Sequence, residues 1–99
     1  MIKASEVRAK IDAAENAIID SIKNSDEFKY VMQKLEFEII NATNNGVPFI
    51  EFSFDAMKDQ CGNWQFADFF RAIVSELEAN GYKWKLLGCL STTSLMISW

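Results

Sequence analysis

Residues 65–87, QFADFFRAIVSELEANGYKWKLL, change their hydrophobic period partway along, and that change decides the fold. Phe66, Phe69, Phe70, Ile73, Val74 and Leu77 recur every three to four positions, which predicts an amphipathic helix from about Gln65 to Ala79. Asn63 stands where a helix N-cap is wanted, and Asn80-Gly81 is a stop signal because both residues tolerate a left-handed backbone. Beyond the stop, Tyr82, Trp84 and Leu86 alternate with Lys83 and Lys85. A period of two predicts a strand, and lysines suit an edge strand, where charge discourages pairing between molecules.

Two further segments carry the same alternation. Ile50, Phe52 and Phe54 share one face of a strand over residues 49–54, with Glu51 and Ser53 opposite. After a polar turn at Ser91-Thr92-Thr93, Leu95, Ile97 and Trp99 share a face, with Ser94, Met96 and Ser98 opposite. The last strand is the more apolar and needs only a hairpin to reach the centre, antiparallel to both others. Residues 55–64, DAMKDQCGNW, read as a loop with at most a helical turn at its start. The expected fold is therefore α+β. A long or kinked N-terminal helix, or two helices, precedes a β-α-β-β unit whose mainly antiparallel three-stranded sheet is covered by helices on one face.

The first 45 residues are predicted to be helical. Val7, Ile11, Ala14 and Ile18, then Phe28, Met32, Leu35, Ile39 and Ala42, are spaced by three and four. Ser5 is the expected N-cap, with Glu6 in the first turn, and Glu6–Lys10 and Lys34–Glu38 are spaced for ion pairs. The stripe falters at Ser21 and Ser25. Two readings are open: one kinked helix of about 38 residues, on the order of 57 Å long, or two helices over 5–23 and 26–43 joined at Asn24-Ser25. The second fits the size of the domain better. Asn44-Asn45-Gly46 and Pro48 end the helical half.

Ninety-nine residues make one domain, with a helical segment over 1–45 and the β-α-β-β unit over 46–99. The apolar side chains of the second unit are too few to offset the entropy of ordering it. The N-terminal stripe is thus expected to shield it, within the chain or from a neighbouring copy. Val7, Ile11, Ile18, Phe28 and Met32 are the candidate oligomer interface.

Charge and residue types narrow the function. A net charge of −4 disfavours binding to bare nucleic-acid phosphate, since each phosphate contact needs a cation. The chain contains no histidine, which removes the commonest general base and metal ligand. Cys61 and Cys89 lack metal-site spacing and are expected to be reduced thiols. The charged N-terminus has no signal-peptide core and no stretch is apolar enough to span a membrane, so a cytoplasmic protein without membrane contact is expected. Asp55, Asp59 and Asp68 lack the calcium-loop spacing, and no phosphate-loop or nucleophile-elbow motif occurs. Neither a metal nor another cofactor is expected. The 55–64 segment holds the polar and aromatic residues suited to a partner or small polar ligand: Asp59, Gln60, Asn63 and Trp64, with Gln65 following. The bland reading of that segment is a surface connection whose Trp64 tucks onto the core.

Asn80-Gly81-Tyr82-Lys83, the terminal Ile97-Ser98-Trp99, the long leading helix and the phenylalanine-rich strand resemble small accessory proteins of tailed bacteriophages. The resemblance implies a viral protein made in the bacterial cytoplasm that blocks a host factor, counters a defence system or assists virion assembly. Three functions follow in order of preference. The first is a non-enzymatic, homo-oligomeric module that binds a host protein. The second is a protein that sequesters a nucleotide-like signal at a subunit interface through Asn63, Trp64 and Gln65. The third is a metal-assisted hydrolase built on the aspartates.

Overall fold

The computed structural model describes residues 1–89 and 92–99 and divides the helical half in two, α1 (Ala4–Lys23) and α2 (Asp26–Asn44). The break falls at Asn24-Ser25. There Ser25 leaves the helical region at φ −80° and ψ 155°, and its Oγ accepts the Phe28 N–H at 3.3 Å. A new N-cap, with Asp26 and Glu27 in the first turn behind it, is what ends one helix and starts the next. At the start of α1 the expected cap is displaced. Lys3, not Ser5, is the N-cap residue, and it offers no side-chain bond. The expected Glu6–Lys10 and Lys34–Glu38 pairs are not among the ion pairs of the described residues; Lys34 instead lies over the Phe52 ring, 5.9 Å from its centroid.

Strand β1 (Phe49–Ser53) is followed at once by α3 (Phe54–Gln60), so most of the expected 55–64 loop is helix. Ser53 closes the strand by capping that helix: its side chain accepts the Ala56 N–H at 3.2 Å. Phe54 thereby becomes the first helical residue instead of the last strand residue, and Met57 one turn on is wholly buried. Helix α4 (Phe66–Ala79) has Gln65, not Asn63, at its N-cap; Asn63 lies in the preceding turn, which the Trp64 N–H closes by donating to the Cys61 carbonyl at 3.1 Å.

Helices α2 and α4 end in the same way. In α2 the Val47 N–H donates to the Ala42 carbonyl at 2.8 Å and the Gly46 N–H to Thr43 at 3.1 Å. In α4 Tyr82 donates to Leu77 at 3.0 Å and Gly81 to Glu78 at 3.0 Å. This Schellman pattern requires a left-handed residue after the cap, and Gly46 and Gly81 supply it at φ 73° and 84°.

The remaining strands, β2 (Lys83–Cys89) and β3 (Thr92–Ser98), place β3 centrally in the order β1-β3-β2, with both pairings antiparallel. Of the expected turn, Thr92 and Thr93 belong to β3 and Ser91 lies outside the described residues, as does the side chain of Cys89. Cys61 is a buried free thiol whose Sγ donates to the Lys58 carbonyl at 3.1 Å. Register aligns Ile50, Ile97 and Trp84 in one row and Phe52, Leu95 and Leu86 in the next. That face meets the helices; Glu51, Lys83 and Lys85 on the other are exposed.

The core forms where α2 and α4 meet this face. Phe69, Ile73 and Leu77 of α4 join Phe28, Val31 and Leu35 of α2 over Leu95 and Ile97. Phe28 and Phe69 stand edge to face at 6.5 Å. At the α3 end, Phe70 packs against Phe54 at 5.4 Å and against Trp84 at 5.6 Å, while Trp84 Nε1 donates to Glu78 Oε1 at 2.8 Å. Ile22, in the last turn of α1, is wholly buried, and Lys23 Nζ donates to Ser75 Oγ at 3.1 Å beside Glu76 at 3.6 Å.

The shielding expected of the leading stripe is thus divided between the two helices. Helix α2 packs on the sheet and the end of α1 packs on α4 and α2, whereas every residue from Met1 to Ile18 is exposed. The molecule measures 58 × 28 × 28 Å, and the projecting start of α1 accords with that length. Among the described residues no helix is long and apolar enough to cross a membrane.

Phe69→Ala is expected to cost about 3–5 kcal/mol of stability, since it empties the centre of the core. Gly81→Ala is expected to cost on the order of 1 kcal/mol by forcing a Cβ into the left-handed cap. Urea unfolding followed by tryptophan fluorescence measures both.

Candidate interaction surfaces

Helix α2 carries more apolar residues than one face can bury. Its inner face holds Phe28, Val31 and Leu35, with Met32, Ile39 and Ala42 partly buried beside them. Opposite them Asp26, Tyr30, Gln33, Phe37, Ile40 and Asn44 are spaced 4-3-4-3-4, a second stripe with its own helical register. The three large residues of that stripe are open to solvent: Tyr30 is 54% exposed, Phe37 72% and Ile40 60%. Core packing cannot account for them, because the core lies on the other side of the same helix. Tyr30, Phe37 and Ile40, with Gln33 between the first two, thus form an exposed apolar row flanked by Glu27, Lys29, Lys34 and Glu36.

Beside this stripe runs an open groove of about 450 Å³ between α2 and the C-terminal end of α4. Met32 and Leu77 line it with apolar surface, and Gln33, Asn80 and Tyr82 add polar atoms. Its charges balance: Lys23 and Lys29 face Glu36 and Glu76, and Lys23 is already bonded to Ser75 and Glu76. Such a lining has no net attraction for a phosphate-bearing ligand.

The third surface is α1. Val7, Ile11 and Ile18 are 44%, 53% and 40% exposed, and Ala14 lies between them. Of the expected oligomer interface these three are free, while Phe28 is buried in the chain's own core and Met32 is half-buried in the groove. Phe28 is turned inward because its ring fills the space beside Phe69.

The residues expected around 59–65 are not gathered into a cleft. Asp59 and Gln60 sit at the end of α3, Asn63 is exposed in the turn, and Gln65 is exposed before α4. Trp64 is half-buried against the core. None of the five lines the groove between α2 and α4 or the shallow cleft between α2 and β1. Among the described residues, Asp55, Asp59 and Asp68 form no group of metal-ligating side chains.

The α2 stripe was legible as an excess. The 19 residues of α2 contain a second register in which Tyr30, Phe37 and Ile40 are large and apolar, and reading only the Phe28–Ala42 register hides it. No protein-family model matches this chain, and no curated protein and no solved structure matches it either.

Because Phe37 supports nothing inside the chain, Phe37→Ser is expected to leave unfolding stability within about 0.5 kcal/mol. Urea midpoints of wild type and variant check this; a larger loss means the ring is part of the fold.

Proposed function

We propose that this protein is a non-enzymatic interaction module that acts as a homo-oligomer and binds a protein partner through the outer face of α2. The observation that carries this reading is the Tyr30–Phe37–Ile40 stripe, exposed on a helix whose opposite face is committed to the core. Burying three such side chains contributes about 1.5–3 kcal/mol each. Tyrosine is among the residues that dominate interface energies, and the charged flanks supply a polar rim. The resemblance to phage accessory proteins makes a bacterial host protein the proposed target.

A second reading rests on the groove beside the stripe. Its volume falls within the roughly 300–1,000 Å³ typical of small-molecule sites. On this alternative the protein sequesters a small signal molecule, with a neighbouring subunit closing the open side. Its balanced charge makes it the weaker fit for a nucleotide.

Tyr30→Ser/Phe37→Asp is expected to lose specific host proteins that wild type captures from bacterial lysate, at unchanged melting temperature. Lys85→Glu, on the far sheet face, is expected to keep them. Capture of the same proteins by all three forms would refute the assignment of the α2 face. For the alternative, a panel of nucleotides is scanned for a rise in melting temperature: a ligand at 100 times its Kd stabilises by about 2.7 kcal/mol. A clear rise favours the groove.

A further inference from the structure

The free part of α1 poses a physical problem. Residues 1–18 are all exposed, and the body covers the helix only from Ile19, half-buried, and Ile22, buried. Lys3 provides no side-chain cap. A helical segment of this length, tied to the body among the described residues only by the half-exposed Glu15–Arg71 pair, is marginal in water. Yet it presents an unbroken small-and-apolar seam, Ala4, Val7, Ile11, Ala14 and Ile18, spaced 3-4-3-4 as in a coiled coil.

The charges beside the seam indicate what covers it. The start of α1 is basic, with the cap residue Lys3, then Arg8 and Lys10, against Glu6 alone, while the following stretch holds Asp12, Glu15 and Asp20 and no cation until Lys23. A helix basic at one end and acidic along the rest complements itself when reversed. We infer that α1 pairs antiparallel with α1 of a second copy of this chain, about a two-fold axis passing between Asp12 and Ala13. This deepens the self-association part of the function proposed above and rests on it.

The register follows from the seam. Setting Ile11 opposite Ala14 of the second copy puts Val7 opposite Ile18 and Ala4 opposite Ser21, each pair occurring twice by symmetry. Large meets small at the centre, so the backbones approach closely. In antiparallel pairs, flanking residues on the same side of the seam face each other, which brings Arg8 to Glu15 of the second copy, again twice. Glu15 already holds Arg71 of its own α4 at 3.4 Å, with both side chains about half exposed, so the second arginine joins a carboxylate positioned at the edge of the body. A parallel pair is poorer. It sets Lys3 against Arg8 of the second copy, two like charges, and keeps only Lys10 with Glu15. The isologous antiparallel contact also closes at two copies and leaves no free seam for further growth.

Sedimentation velocity on the full chain, from micromolar to sub-millimolar concentration, tests this. Wild type is expected to pass from monomer to dimer, with far-ultraviolet helicity falling on dilution as the unpaired start of α1 frays. Ile11→Asp is expected to weaken the dimer by about 100-fold or more, because it buries a charge in the seam. Arg8→Glu is expected to weaken it about tenfold, by reversing two exposed pairs. Arg8→Glu/Glu15→Arg is expected to restore it. All three positions lie outside the core, so the melting of the body serves as the folding control. Tighter association of Arg8→Glu overturns the antiparallel orientation, since a parallel pair would gain an attraction between Lys3 and the carboxylate introduced at position 8. A dimer indifferent to Ile11→Asp but lost on Phe37→Asp overturns this pairing alone and leaves the proposed oligomer. A wild type that stays monomeric throughout overturns both.

Discussion

Leu95 and Ile97, side by side on the inner face of the central strand, are wholly buried, and the three-stranded sheet has helices on only that one side. Covering them from one direction is the constraint on which the rest of the chain depends. It requires two long helices lying on the same face, α2 and α4, with inward residues large enough to reach the strand. Phe28, Phe69, Ile73 and Leu35 do this. The short α3 closes the open end through Met57 and the Phe54 ring, which joins Phe66, Phe70 and Trp84 in an aromatic cluster. Tilted and edge-to-face rings in such a cluster add directional packing to simple burial.

Meeting that constraint uses only part of the apolar surface in the helical region. Helix α2 commits one face to Leu95 and Ile97 and leaves Tyr30, Phe37 and Ile40 outside. Helix α1 commits only its last turns, where Ile22 enters the core and Lys23 is tied to α4. The surplus lies on exposed, regularly spaced positions of helices, not on loops. That arrangement suits contacts between molecules. On the proposed reading the two stripes divide the work, α1 joining copies of the chain and α2 meeting the partner.

Several elements could be read directly from residue types. Asn-Gly after a helical stripe, at 45–46 and 80–81, encodes a Schellman end whatever surrounds it, because only the left-handed backbone of glycine is needed. The central position of the last strand followed from its alternation and from the short hairpin before it. The break at Asn24-Ser25 was one of two open readings, and the structure decides it through the Ser25 cap. The α3 helix was less plain: Ser53 and Asp55 form a cap and an acidic first turn, but seven residues with little periodicity resemble a loop until Met57 finds the core.

What the sequence alone determined, then, was the α+β class, the three strands with the last in the middle, and the Asn-Gly stops of the two long helices that precede strands. These depend on backbone preferences and on neighbours a few positions away. Only the tertiary structure decided which of two interleaved stripes on α2 faces inward, and that the seam of α1 lies beyond the reach of the sheet. A helix with two apolar registers buries whichever matches the shape of its neighbours. A three-stranded sheet is too narrow to cover both registers or the whole of the preceding helix. That geometric shortfall exposes the surfaces assigned here to binding, and no local pattern of residues records it.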